Sequence, residues 1–164
     1  MQLNKLKTLS LHIYFIYMKN LFKFKCPITS ALDIIGDRWI LIIFKQMLFE
    51  NKQTFKDFKE STENIASNIL TVRLNLLLEN GLISKSKVKT NNKSVYYHLT
   101  DIGLSVTSIL VELSIWGENN LKDYNPLIKE SKNTYKTSSN KNIYIKNLKR
   151  KYKDKISKTV FIEM

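Results

Sequence analysis

Apolar positions recur along this chain with two periods, and the change from one to the other marks its elements. Between Thr54 and Gly81, Leu70, Leu74 and Leu77 return at the 3.6-residue spacing of a buried helical stripe. Asn68, Val72, Asn75 and Glu79 fall opposite them, with Ser67 and Thr71 near the N-terminal rim. Just before, Phe55 and Phe58 share one face of a shorter helix, which Thr54 and Asp57 start in the manner of a capping box. Ser61-Thr62-Glu63-Asn64 bonds readily to its own backbone and should end that helix. Ser67 is the expected N-cap of the second helix and Gly81 its stop. A short helix, a polar turn and a longer helix make the layout of a helix-turn-helix, although such pairs also occur in domains that bind nothing.

After Gly81 the pattern becomes that of strands. Residues 82–88 and 94–99 are two β-prone runs around Lys89-Thr90-Asn91-Asn92-Lys93, where Asn91-Asn92 can take the positive φ of a tight hairpin turn. Lys85, Lys87, Lys89 and Lys93 make this hairpin a basic finger with no acid. A basic hairpin directly after a helix-turn-helix predicts a winged helix whose wing lies along the phosphate backbone or minor groove. Small amide and hydroxyl groups on the second helix suit base edges in a major groove.

The flanking elements follow the same logic. Thr29–Ile35 reads as a short helix with Ala31, Leu32 and Ile35 inward, ended by Gly36. Asp37 can cap a second helix, Arg38 to Phe49, which is apolar nearly all round as a central buried helix should be. Thr100 caps a long helix expected to run to about Leu121. It carries Ile102, Val106, Ile109, Leu113 and Trp116 on one face and Leu104, Val111 and Ile115 on nearly the opposite one. Only one stripe can face the helix's own domain. Leu104, Val111 and Ile115 are expected to remain exposed and to meet a second copy in a symmetric dimer.

Charge sharpens the domain limits. The net charge is +13, of which residues 1–25 contribute +5, residues 26–122 only +1, and residues 123–164 +7. Residues 26–122 are therefore the expected folded domain, with a basic extension before it and a basic tail after it. The tail, rich in Lys, Asn and Ser, is expected to be disordered, although 142–155 could become a basic helix on a polyanion. Residues 1–17 read as an upstream extension before an alternative start at Met18, or as a short amphipathic arm. Their apolar run is too short for a membrane span. One cysteine excludes an intramolecular disulfide framework and fits a reducing cytoplasm.

Between Cys26 and Asn120 these elements, in this order, resemble the HxlR family of bacterial winged-helix transcription regulators, relatives of the MarR type. The likeness is carried by Cys26-Pro27, Leu32-Asp33-Ile34-Ile35-Gly36-Asp37-Arg38-Trp39, Phe55-Lys56-Asp57-Phe58, Ile65 to Leu74, Gly81-Leu82-Ile83, Tyr97 to Gly103 and Trp116-Gly117. The fold class expected is α+β: a mainly helical winged helix-turn-helix with a two- or three-stranded antiparallel wing and a long C-terminal dimerisation helix. The resemblance implies a homodimer on a palindromic double-stranded DNA operator. Thr54, Ser67, Asn68, Thr71, Val72, Arg73 and Asn75 are the candidate contacts of the helix-turn-helix, and Lys85, Lys87, Lys89, Asn91, Asn92 and Lys93 those of the wing. Cys26 matches the position where several family members carry a thiol that senses oxidants or electrophiles. Lys23, Lys25 and the first helix's N-terminus would favour its thiolate, and packing beside Pro27 is its plainer role.

Enzymatic chemistry has little support. His12 and His98 are the only histidines, and Tyr97-His98-Leu99 reads as ordinary sheet surface. No Cys/His set has metal-ligand spacing and no glycine-rich phosphate loop exists, so no metal or cofactor is expected. The second functional class is a winged helix used for protein interaction without DNA readout.

Overall fold

The computed structural model describes residues 25–88, 91–125, 127–128, 138–157 and 161–163, with backbone only at 91–93, 138–139 and 161–163. The expected arm at residues 1–17 lies outside them. The chain divides into two compact units, residues 1–38 and 39–164.

In the first unit, α1 (Pro27–Ile35) starts with Cys26 at the N-cap and proline in its first turn, where the missing N–H costs no hydrogen bond. None of its residues is buried. The expected inward set is thus corrected: Ala31 and Leu32 are exposed and Ile35 is half-buried.

The second unit is organised around α2 (Arg38–Phe49), all of which but Arg38 belongs to it and whose Ile40, Ile43, Phe44 and Met47 are fully buried. Around it stand α3 (Phe55–Lys59) and α4 (Ser67–Glu79), which contributes Leu70, Leu74 and Leu77 to the same core. Gly81 follows α4 with φ +65°, the left-handed conformation that turns the chain into the sheet.

Strand β1 (Ile83–Val88) pairs antiparallel with β2 (Asn91–Leu99), Ile83 opposite Leu99 and Lys87 opposite Val95. The register then jumps so that Val88 faces Asn91, which leaves three residues of β2 bulged out. The expected turn residues Asn91 and Asn92 thus belong to the strand, and residues 89–90 lie outside the described residues. Thr54 forms an isolated bridge to Tyr96, tying the start of α3 to the sheet.

The long helix expected after Thr100 is two helices, α5 (Asp101–Ser105) and α6 (Thr107–Leu121), broken at Val106. Within α5, Gly103 lies so close to the residue before β1 that a Cβ would stand 2.0 Å from the Leu82 carbonyl oxygen. Burial shows which stripe faces in. Leu104 and Val111 (3% and 1% exposed) belong to the chain's own core and Ile115 is half-buried, so this is not the free face. Of the other stripe, Ile102, Ile109, Leu113 and Trp116 are exposed, while Val106 (4%) is buried.

The tail departs furthest from expectation. Residues 138–157 form α7 (Ser138–Ser157), and β3 (Phe161–Glu163) adds to the free edge of β1, giving the sheet order β2-β1-β3. Tyr152, 5% exposed, accepts a hydrogen bond from the Leu99 N–H at 2.9 Å, and Lys153 reaches Asp101 at 2.6 Å. A tail chosen for disorder on its charge is thus docked by one buried aromatic and its ion pairs.

Candidate nucleic-acid interface

The helix-turn-helix is built from local bonds. Thr54 Oγ1 accepts the Asp57 N–H at 3.1 Å, and Asp57 Oδ2 accepts the N–H groups of Thr54 at 2.8 Å and Gln53 at 3.1 Å. The capping box is therefore complete, and the Thr54 hydroxyl serves the helix start. Burial opposes ionisation of Asp57, but these backbone donors hold its carboxyl below the usual range.

The turn is held from both sides. Ser61 Oγ donates to the Phe58 carbonyl at 2.7 Å, Asn64 takes φ +49°, and Lys59 reaches the Ile65 carbonyl at 2.8 Å. Ile65 plugs the core beneath it. Glu63 fastens the turn to α2 through Lys45 and through Gln46 Nε2, which donates to Glu63 Oε2 at 2.8 Å. Burial alone would raise the Glu63 pKa, yet these partners bring it down to about 2. This anchor escaped the sequence reading because its members lie 17 and 18 residues apart.

Helix α4 starts one residue earlier than its side chains suggested. Ala66 is the N-cap, without a side-chain bond, and Ser67 is the first helical residue. Its outward row remains as expected: Ser67, Asn68, Thr71, Val72 (55%) and Asn75 are exposed. Thr71 Oγ1 donates to the Ser67 carbonyl at 2.8 Å, so toward a ligand its hydroxyl offers lone pairs. Arg73 is half-buried and stands apart from that row.

On the wing, Lys85 is exposed and Lys87 half-buried on central strand β1. The side chains of Asn91, Asn92 and Lys93, and all of Lys89, lie outside the described residues. His98 corrects an expectation: it is buried, its Nε2 2.6 Å from Ser86 Oγ, and burial pushes its pKa down to about 4. It is a neutral member of the sheet interior at neutral pH.

Cys26, in the first unit, is exposed. Its thiol pKa is lowered first by the Thr29 backbone N–H, then by the Thr29 side chain and the Ile28 N–H. The helix N-terminus supplies the effect that the sequence shared with neighbouring lysines. Among the described residues no group of His, Cys, Asp and Glu could hold a metal ion, and no helix is long and apolar enough to cross a membrane.

Residues 34–125 match the HxlR-like helix-turn-helix family. The uncharacterized HTH-type transcriptional regulator YybR of Bacillus subtilis (strain 168) is 31% identical over 119 residues, 68% of this chain and 94% of that protein. YdeP of the same organism, also an HTH-type transcriptional regulator, is 30% identical over 93 residues, 57% of this chain and 72% of its own. Among solved structures, PA1607 has a TM-score of 0.59 at 30% identity, covering 71% of this chain and 78% of that one. The redox regulator HypR in its reduced form has a TM-score of 0.53 at 29% identity, covering 60% and 97%. The winged helix, its wing and these relatives agree: this chain belongs to the HxlR-like helix-turn-helix family of transcriptional regulators.

Proposed function

We propose that the protein regulates transcription, and is not an enzyme, by binding a palindromic operator as a homodimer, with the outward row of α4 in the major groove and the wing on the backbone. The observation that carries this reading is the exposed Ser67-Asn68-Thr71-Asn75 row on a helix whose opposite side is locked into the core. Asn68 is the reader of a base edge, since its amide can bond an adenine bidentately, and Thr71 accepts a bond or packs its methyl group. Lys85 and Lys87, with the expected wing residues Lys89 and Lys93, supply phosphate contacts.

The dimer uses the Ile109-Leu113-Trp116 stripe of α6, because these large apolar side chains are exposed. Two recognition helices must then meet successive major grooves about 34 Å apart. Cys26 is the signal input: its exposed, acidified thiol suits attack by an oxidant or electrophile, which would alter that spacing. The redox regulator HypR has a similar fold.

Mapping bound genomic fragments gives the operator, and fluorescence anisotropy then tests the reading. Asn68→Ala should cost about 1–3 kcal/mol on the operator and little on random duplex. Equal loss on both would place Asn68 on the backbone. Binding indifferent to salt would favour protein docking over DNA. Sedimentation of the wild type as a monomer at micromolar concentration would remove the dimer.

A further inference from the structure

We infer that α7, beyond the span of the family match, is a second DNA-contacting element that grips duplex phosphates without regard to sequence; this rests on the reading of the protein as a DNA binder. The helix carries seven basic residues and one acid over Ser138–Ser157. Two of them hold it in place, Lys141 on Glu112 and Lys153 on Asp101. Lys146, Arg150, Lys151 and Lys155 are exposed, and none of them pairs with a carboxylate among the described residues. Arg150, Lys151 and Lys155 line one open groove with Asn51, Asn147 and Asp154.

Two features select the partner. A helix that lies on a membrane needs a free apolar face. Here Tyr144, Ile145, Leu148, Tyr152 and Ile156 are all half-buried or buried on the domain side, and Ile143 is the one apolar residue of the helix that is exposed. Apart from Ile143, what faces solvent is polar and rich in basic residues. The partner is therefore a polyanion met through phosphates. The helix is also fixed to the sheet that carries the wing, by Tyr152 at the end of β2 and by β3 along the edge of β1. Charge on a fixed helix loses little conformational freedom when it binds, unlike the same charge on a loose tail.

The test uses the full chain, a random-sequence 40-base-pair duplex and salt from about 50 to 200 mM. Lys146→Gln/Arg150→Gln/Lys151→Gln/Lys155→Gln should flatten the log–log salt slope by about 2–4 units, at roughly 0.9 for each phosphate that is no longer neutralised. It should weaken operator and random duplex by the same factor, about tenfold or more, and keep the wild-type circular dichroism. Should it fail to fold, Lys146→Gln/Arg150→Gln should show about half the change in slope. A wild-type slope in either folded variant overturns the inference and leaves the DNA reading standing. Absence of duplex binding by the wild type at low salt overturns both. If only binding to vesicles containing a quarter phosphatidylserine falls in the variant, the surface serves a membrane and the inference is wrong.

Discussion

Replacing Tyr152 with phenylalanine removes one oxygen and tests whether residues 138–157 belong to the fold. The Tyr152 hydroxyl accepts the Leu99 N–H at 2.9 Å in a place where the side chain is 5% exposed. Phenylalanine keeps the ring and its packing but leaves that N–H without its partner, which costs about 1–3 kcal/mol. Tyr152→Ala removes the ring as well and should cost about 3–5 kcal/mol. Urea unfolding of the full chain reads both, as a lower midpoint with an unchanged slope. An alkaline series gives a second reading. Burial pushes the Tyr152 pKa up from 10.0 to about 12, against a smaller lowering by the Leu99 N–H. The folded-state value lies above the unfolded one, so the stabilisation is whole below pH 10 and is lost as pH rises toward 12. That loss is on the order of 2 kcal/mol in the wild type, and the phenylalanine variant should lack it. A Tyr152→Phe variant within about 0.3 kcal/mol of wild type, below the usual range for a buried hydrogen bond, would refute the docking of this helix.

Glu63→Gln should loosen the turn between α3 and α4. The carboxyl ionises at about 2 in the folded chain against 4.5 unfolded, so its contribution is present above pH 4.5 and fades as pH falls toward 2. The variant should lose about 1 kcal/mol at pH 7, allowing for solvent screening, and show a flatter acid branch in thermal melts; an unaltered branch would mean that Glu63 is not the anchor. Gly103→Ala would set a Cβ 2.0 Å from the Leu82 carbonyl oxygen and should destabilise by about 1–3 kcal/mol or more. Gly117→Ala meets nothing within 4 Å in the middle of α6 and should instead gain about 0.5–1 kcal/mol, and equal effects in urea titrations would contradict this packing. Cys26 should be alkylated by iodoacetamide with an inflection below that of a free cysteine, and diamide should change operator affinity in wild type but not in Cys26→Ser. A response shared by both proteins would place the signal elsewhere.

Local periodicity and capping chemistry determined most of the helix-turn-helix. Leu70, Leu74 and Leu77 had to be the buried row of α4, because a single stripe leaves a helix only one way to face a core. Thr54 and Asp57 formed the expected box, and Gly81 took the left-handed turn, since each needs only residues within a few positions. Periodicity failed where it was ambiguous. The segment after Thr100 has two apolar stripes, and only tertiary packing decided that Leu104, Val106 and Val111 are buried while Ile109, Leu113 and Trp116 are exposed. Asn91-Asn92, expected as the wing turn, became part of strand β2 because register is a property of paired strands rather than of one run. The basic tail looked disordered from its charge, since net charge counts repulsion and cannot weigh a partner distant in sequence. What orders it is the Tyr152 contact with Leu99, 53 residues away, and the ion pairs of Lys141 and Lys153 with carboxylates of α6 and α5. Such contacts exist only once the domain has folded, and tertiary structure alone decided them.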